Sequence, residues 1–235
     1  MATIYVIRHG QASFGSDDYD NLSELGRLQA SRLGEYLRDS DVHLDAAYCG
    51  QLRRQRDTAE LALAAQPGKV PLRVDRRLDE VRNDEQIELL LPRLLDGDPE
   101  LQAVVDRGLS SSKDYQKVIA AVFKHWVSPQ CDAAGIQSWQ DYASGVQSAL
   151  RDVMLAQGKG KSIAMFTSGG TIATLVARVL GVPDHDVYQF YEPVFNCSIT
   201  QLFYSGDRVS LSGFNDCSYL RVLGQQRGES LVTYR

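Results

Sequence analysis

The chain has 235 residues, 43% hydrophobic and 23% charged, with a formal net charge of -5. This mildly acidic, globular composition argues against a nucleic-acid or membrane-surface protein, both of which rely on clustered basic charge. No apolar run approaches the roughly 18 residues of a membrane span, and Arg8 interrupts the first apolar stretch before it could serve as a secretory signal.

Short apolar strands alternate with amphipathic helices, the pattern of an α/β domain. The first strand, 3–8, runs directly into Arg8-His9-Gly10. Ser23 is a helix N-cap, and Leu28, Leu33 and Leu37 follow it on the expected apolar face. A second strand at 45–49 leads into "CGQLRRQRDTAE", and a third at 71–75 into "VDRRLDEVR". Between 84 and 137 the alternation gives way to helical pieces. Asp98-Pro99-Glu100 starts one of them, and Tyr115, Val118, Ile119, Val122, Phe123 and Trp126 form an apolar stripe on another. The periodicity marks that stripe as packing surface. This stretch reads as a helical insertion over one end of the sheet, within a single domain spanning 1–235.

Ser138 opens a long helix, and a strand at 162–167 then meets "TSGG" and a helix that stops at Gly181. Strands at 197–204 and 208–213 flank Ser205-Gly206-Asp207, a hairpin turn. Cys49, Cys131, Cys197 and Cys217 show neither C-x-x-C spacing nor a matching histidine cluster. Structural zinc and a redox dithiol are therefore not expected, and a reduced, cytoplasmic protein is.

In open α/β sheets ligands bind beyond the carboxyl ends of the strands. Those ends carry Arg8 and His9, then Arg53, Arg54 and Arg56, then Asp79 and Glu80, then Ser168, Gly169 and Gly170. Arginine forks suit phosphoryl oxygens, glycines at a helix start expose amides, a neutral imidazole is a nucleophile, and a carboxylic acid protonates a leaving oxygen. Each feature alone has an ordinary structural explanation. Their coincidence at successive strand ends points to a phosphoryl-transfer site.

Strand-Arg-His-Gly, "LSELGRLQA", L-x-R-x-x-x-T-A, L-x-E and S-G-G-T-I, in that order, resemble the histidine phosphatase superfamily, and more narrowly its phosphoglycerate-mutase-like branch. The resemblance covers about 1–83 and 138–215. It implies a three-layer α/β/α sandwich, a mostly parallel sheet with an antiparallel edge, and metal-independent chemistry without a cofactor. His9 would be the nucleophile, Arg8 and Arg54 the phosphoryl clamps and Glu80 the proton donor, with Asp79 as a rival off the spacing. Ser168 and Gly169 would contact the substrate. His43, His125 and His185 lie outside every motif.

Three departures qualify the resemblance. Ser168 stands where the family carries a second histidine, Asp57 where many members have Gln, and Ala12 and Gly15 replace polar positions typical of mutases. Loss of one preorganised donor costs on the order of 10²–10³ in rate. The expectation is thus a slow or narrow phosphatase acting on a small phosphorylated substrate. The alternatives are a weakened phosphate-binding or regulatory protein and, below it, a mutase. Arg76, Arg77 and Arg82 are candidates for positive rim charge, and a solvated surface explains them equally well.

Overall fold

Strand β1 (Ala2–Arg8) sends alternate residues to two separate cores. Ile4 and Val6 enter one buried cluster and Ile7 the other, as the period of two in a strand requires. The computed structural model describes residues 1–13, 19–109, 111–132 and 135–234. Within them β1 lies parallel to β4 (Ser162–Thr167), and β4 in turn lies parallel to β2 (Ala46–Cys49), which pairs in parallel with β3 (Leu72–Val74). Two antiparallel strands, β5 (Ile199–Ser205) and β6 (Arg208–Asp216), complete the order β3-β2-β4-β1-β5-β6.

Both faces of this sheet are covered. Helices α1 (Glu24–Asp39) and α2 (Arg53–Leu63) pack Leu33, Leu37, Ala59 and Ala62 against Phe166. On the opposite face lie α6 (Trp139–Gln157) and α7 (Gly169–Leu180), with Val146, Ile172 and Leu175 inward. Between β3 and α6 lie three helices, α3 (Asn83–Leu95), α4 (Pro99–Asp106) and α5 (Ser112–Trp126). Four residues of the α5 stripe are packing surface, with Val118, Val122, Phe123 and Trp126 in the same buried cluster as Ile172 and Leu175, whereas Tyr115 and Ile119 are half-buried and line a cavity instead. The Phe123 ring stands edge-on to Trp126 at 5.7 Å and to Trp139 at 5.8 Å.

The expected caps form. Ser23 accepts from the Gly26 amide, Asp98 from Leu101 and Ser138 from Asp141, while Gly181 ends α7 in the left-handed region at φ 69°. Two short helices, α8 (Tyr188–Tyr191) and α9 (Ser218–Arg227), were not legible in the sequence. α8 spans about one turn, too short for periodicity to register, and α9 buries only Tyr219, Leu220 and Gly224. No helix among the described residues is long and apolar enough to cross a membrane.

The turn after β1 is held from several sides. Thr58 Oγ1 accepts from the Gly10 amide at 3.0 Å, and Asn196 Nδ2 donates to the His9 carbonyl at 3.1 Å. The Cys197 amide donates to the Arg8 and His9 carbonyls, which places Cys197 at φ 53° and delays the start of β5 to Ile199. Helix α1 presses on the same turn. A Cβ on Gly26 would lie 2.1 Å from the Gln11 carbonyl oxygen, and one on Gly10 would lie 2.4 Å from that of Gly26. Both contacts are with backbone, so neither can yield easily.

Gly26→Ala is therefore expected to lower the unfolding free energy by about 1–3 kcal/mol and to shift the urea midpoint down. Gly97→Ala, whose Cβ would meet nothing, serves as the control and should leave the midpoint nearly unchanged. Equal midpoints for the two variants would refute this role for Gly26.

Candidate active site

In the β1–β4 register Arg8 is opposite Thr167, so His9 and Ser168 leave the sheet side by side, with the His9 amide donating to the Thr167 carbonyl at 2.9 Å. His9 is 2% exposed. Its Nδ1 lies 2.7 Å from the Gly10 carbonyl, which can only accept, so Nδ1 carries the proton. Nε2 then keeps its lone pair and accepts from Arg54 Nε at 3.1 Å. Burial, followed by the charges of Arg54 and Arg8, holds the imidazole pKa well below 6.5. The shift favours a neutral ring, with Nε2 directed at the Arg54 guanidinium.

Of the three arginines after β2, Arg53 and Arg56 are exposed and Arg54 is buried. Arg54 Nη1 donates to Asp20 Oδ1 at 2.7 Å, and Tyr19 lies beneath the guanidinium at 5.3 Å. The Asp20 Oδ2 also accepts from the Arg53 amide at 2.7 Å, at the start of α2. Neither Tyr19 nor Asp20 was a sequence candidate. They lie in a segment without periodicity, and their pairing with Arg54 spans 34 residues in the case of Asp20.

Arg8 donates through Nη1 to the carbonyls of Val194 and Tyr234. Its Nε is buried and has no hydrogen-bond partner among the described residues, while other parts of the residue line the cavity. Burial lowers the Arg8 pKa, and Glu80 acts against that shift.

Glu80 Oε1 accepts from the amides of Val81 and Gly170, both at 2.9 Å. Burial raises its pKa above 4.5, opposed by Arg54 and Arg8. A Cβ on Gly170 would come within 2.5 Å of Glu80 Oε1, so the second glycine at the start of α7 makes room for this carboxyl. Asp79 points elsewhere. Its Oδ1 accepts from the Gln51 amide at 2.5 Å, and its carbonyl accepts from Thr171 and Tyr142.

Arg8, His9, Arg54 and Glu80 share the wall of one cavity of about 680 Å³. The start of α3 and one face of α5 also line it, through Asn83, Asp84, Tyr115 and Ile119. Ser168 and Gly169 do not line it. Ser168 is fully buried, and its Oγ accepts from Gln55 Nε2 at 2.8 Å. Tyr191 covers Gly169, with ring carbons 3.0 Å from where its Cβ would be. Gln55, another residue that sequence reading missed, also donates to the Leu78 carbonyl at 3.0 Å and fills space left by Gly50.

The rim arginines are mostly committed elsewhere. Arg77 pairs with Asp75 and Asp152, and Arg76 is exposed away from the cavity; Arg82 does line it. Asp57 forms an outer ion pair with Arg27 at 3.2 Å. Ala12 is buried and bridges Leu22, and Gly15 lies outside the described residues. His43, His125 and His185 do not line this cavity.

Comparison with known proteins bears on the family and the fold. Residues 4–90 and 99–217 match the histidine phosphatase superfamily (branch 1). A 2,3-bisphosphoglycerate-dependent phosphoglycerate mutase of Streptococcus pneumoniae is 27% identical over 225 residues, covering 83% of this chain and 91% of its own. Among solved structures, Bacillus stearothermophilus YhfR superposes with a TM-score of 0.66 at 23% identity, over 93% of this chain and 99% of its own. A phosphoserine phosphatase from Entamoeba histolytica, in complex with 3-phosphoglyceric acid, superposes with a TM-score of 0.63 at 17% identity, over 94% and 100%. The two superpositions bear on fold alone. The match along most of the chain carries the assignment: this protein belongs to the histidine phosphatase superfamily, branch 1.

Proposed function

We propose that the chain hydrolyses a small phosphate monoester through a phosphohistidine formed on His9. The observation that supports this most is the neutral His9 imidazole, with Nε2 3.1 Å from Arg54 Nε, in one wall with a carboxyl whose pKa is raised. Nε2 attacks phosphorus in line, and the P–O bond to the alcohol breaks as the N–P bond forms. Arg54 and Arg8 neutralise the phosphoryl oxygens. Glu80 gives its proton to the departing alkoxide. Water then attacks phosphorus, Glu80 takes the water's proton, and phosphate leaves with His9 neutral again. The two guanidinium groups supply the charge that a metal ion supplies elsewhere, so the reaction as written requires no metal or cofactor.

The residues of 84–137 fit a role as part of this catalytic unit, shaping the pocket for the leaving group, rather than as a separate domain. Unpaired Cys49, Cys197 and Cys217, all buried, suit a reducing cytoplasm.

A weakened phosphate-binding protein is the second reading, favoured by Ser168. With its hydroxyl engaged by Gln55, it adds no donor beyond Arg8 and Arg54 where the family's second histidine would stand, a deficit on the order of 10²–10³ in rate. The mutase reading ranks third. It needs a held intermediate and polar contacts near 12–15, where the described Ala12 is buried and apolar.

Ester turnover by the purified protein, with His9→Ala losing on the order of 10⁴-fold or more and no longer trapping labelled phosphate, is the expected result. No turnover and no labelled His9 across a broad ester panel would reject the phosphatase reading. The variant Ser168→His, combined with Gln55→Ala to make room, separates the first two readings. Strong activity appearing only in that variant identifies the natural protein as a binder.

The pH profile follows from the two shifts. His9 attacks only when unprotonated, and its pKa lies well below 6.5, so activity rises with pH through a limb below 6.5. Glu80 donates only when protonated, and its pKa lies above 4.5, so activity falls as pH climbs through a limb above 4.5. A bell is expected in kcat/KM, and Glu80→Gln should abolish the alkaline limb. A flat profile from about pH 4 to 9 would contradict both assignments.

A further inference from the structure

The wall of the cavity facing the phosphoryl end has a chemistry of its own. Five tyrosines line the space, Tyr19, Tyr115, Tyr188, Tyr191 and Tyr234, together with the aliphatic Leu52, Val81 and Ile119. Their ring faces are set by neighbours. Tyr188 and Tyr191 stand edge to face at 5.8 Å, and each also packs on Phe123, at 5.5 and 5.6 Å. Tyr191 OH accepts from Asn83 Nδ2 at 2.8 Å, and Tyr115 OH donates to Asp84 at 3.2 Å. Burial and Asp84 push the Tyr115 hydroxyl up to about 12, and burial holds Tyr191 well above 10.0, so both rings stay uncharged in water near neutrality.

The charged residues on the exposed part of the same wall are Arg82, Asp84, Glu85 and Glu192. Arg82 is the cation of that set, and it already faces Glu85 at 3.3 Å. Among the described residues, no cation pairs with Asp84 or Glu192. Beyond Arg8 and Arg54, Arg82 is the one cation among the described residues lining the cavity, and it is shared with Glu85. An anionic arm on the leaving group would meet three carboxylates and one arginine among these exposed residues, whereas a planar ring would meet a lining rich in tyrosine.

We propose that the group esterified to phosphate is a bulky alcohol carrying a planar aromatic ring and no anionic arm, seated between Tyr115 and the Tyr188–Tyr191 pair. This rests on the phosphate-ester reading of the inner site and narrows it. It sets the protein apart from an enzyme for small carboxylated phosphoesters, whose second anion would need a partner in this wall. Tyr115 sets the ring preference, and Asp84 and Glu192 reject anions.

Three unreactive probes of common length test it directly: 2-phenylethylphosphonate, 2-carboxyethylphosphonate and butylphosphonate. Each keeps the phosphoryl end constant and varies only the far group. Calorimetric Kd values at low ionic strength, where exposed charges are least screened, are expected to favour the phenyl probe. The advantage should be about fivefold over the butyl probe and about tenfold over the carboxylate. Tyr115→Ala should shrink the phenyl-to-butyl ratio, and Glu192→Lys the phenyl-to-carboxylate ratio. Tightest binding of the carboxylate probe by the wild type, or equal affinities for all three, would overturn the proposal without recourse to any variant. Turnover of the corresponding phosphate esters, read in parallel, separates the two levels. Phenyl-selective binding without turnover would support the pocket assignment and reject the phosphatase reading. Turnover with the carboxylated ester preferred would do the reverse.

Discussion

A buried imidazole next to two guanidinium groups must be neutral, and much of the surrounding structure serves that requirement. His9 would gain a third positive charge in a dry environment if it were protonated, so burial and the charges of Arg54 and Arg8 act in the same direction. The Gly10 carbonyl then decides which nitrogen keeps the proton. Glu80 occupies the complementary condition, a carboxyl whose burial favours the protonated form. One low-dielectric site thus favours an uncharged base and an uncharged acid at the same pH, the separation that two-step phosphoryl transfer needs.

Holding that site requires close backbone approach. The turn after β1 is bonded to Thr58 of α2, to Asn196 and Cys197 before β5, and is pressed by Gly26 of α1. These partners come from both sides of the sheet's central strand, so the imidazole is fixed by the packing of several elements and not by its own loop. Gly170 has a parallel part at α7. Its amide binds the Glu80 carboxyl, and its missing side chain lets that carboxyl approach. The helix start therefore positions the acid, where the sequence suggested an open anion cradle.

Helices α3 and α5 supply much of the rest of the cavity lining. Val118, Val122, Phe123 and Trp126 commit α5 to the core, while Tyr115 and Ile119 line the cavity together with His9. One amphipathic helix thus divides its residues between packing and the cavity wall.

The sequence by itself determined the sheet, most helix caps and the inner chemical set. Strands and helices have periods of their own, and ligands gather at strand ends, so Arg8, His9, Arg54 and Glu80 were legible from local pattern and order. The choice of Arg54 over Arg53 and Arg56, and of Glu80 over Asp79, came from the resemblance to the histidine phosphatases and not from local pattern alone. Tertiary structure decided what local pattern does not encode. Asp20 reaches Arg54 across 34 residues, Gln55 reaches Ser168 across 113, and the Tyr234 carbonyl reaches Arg8 across 226. The tyrosine wall is assembled from four separate stretches of chain. Ser168 shows the division most clearly: its position in the motif marked it as a substrate contact, whereas its side chain is buried against Gln55. A linear pattern specifies which residue follows a strand, and only the packing around it specifies which way that residue faces.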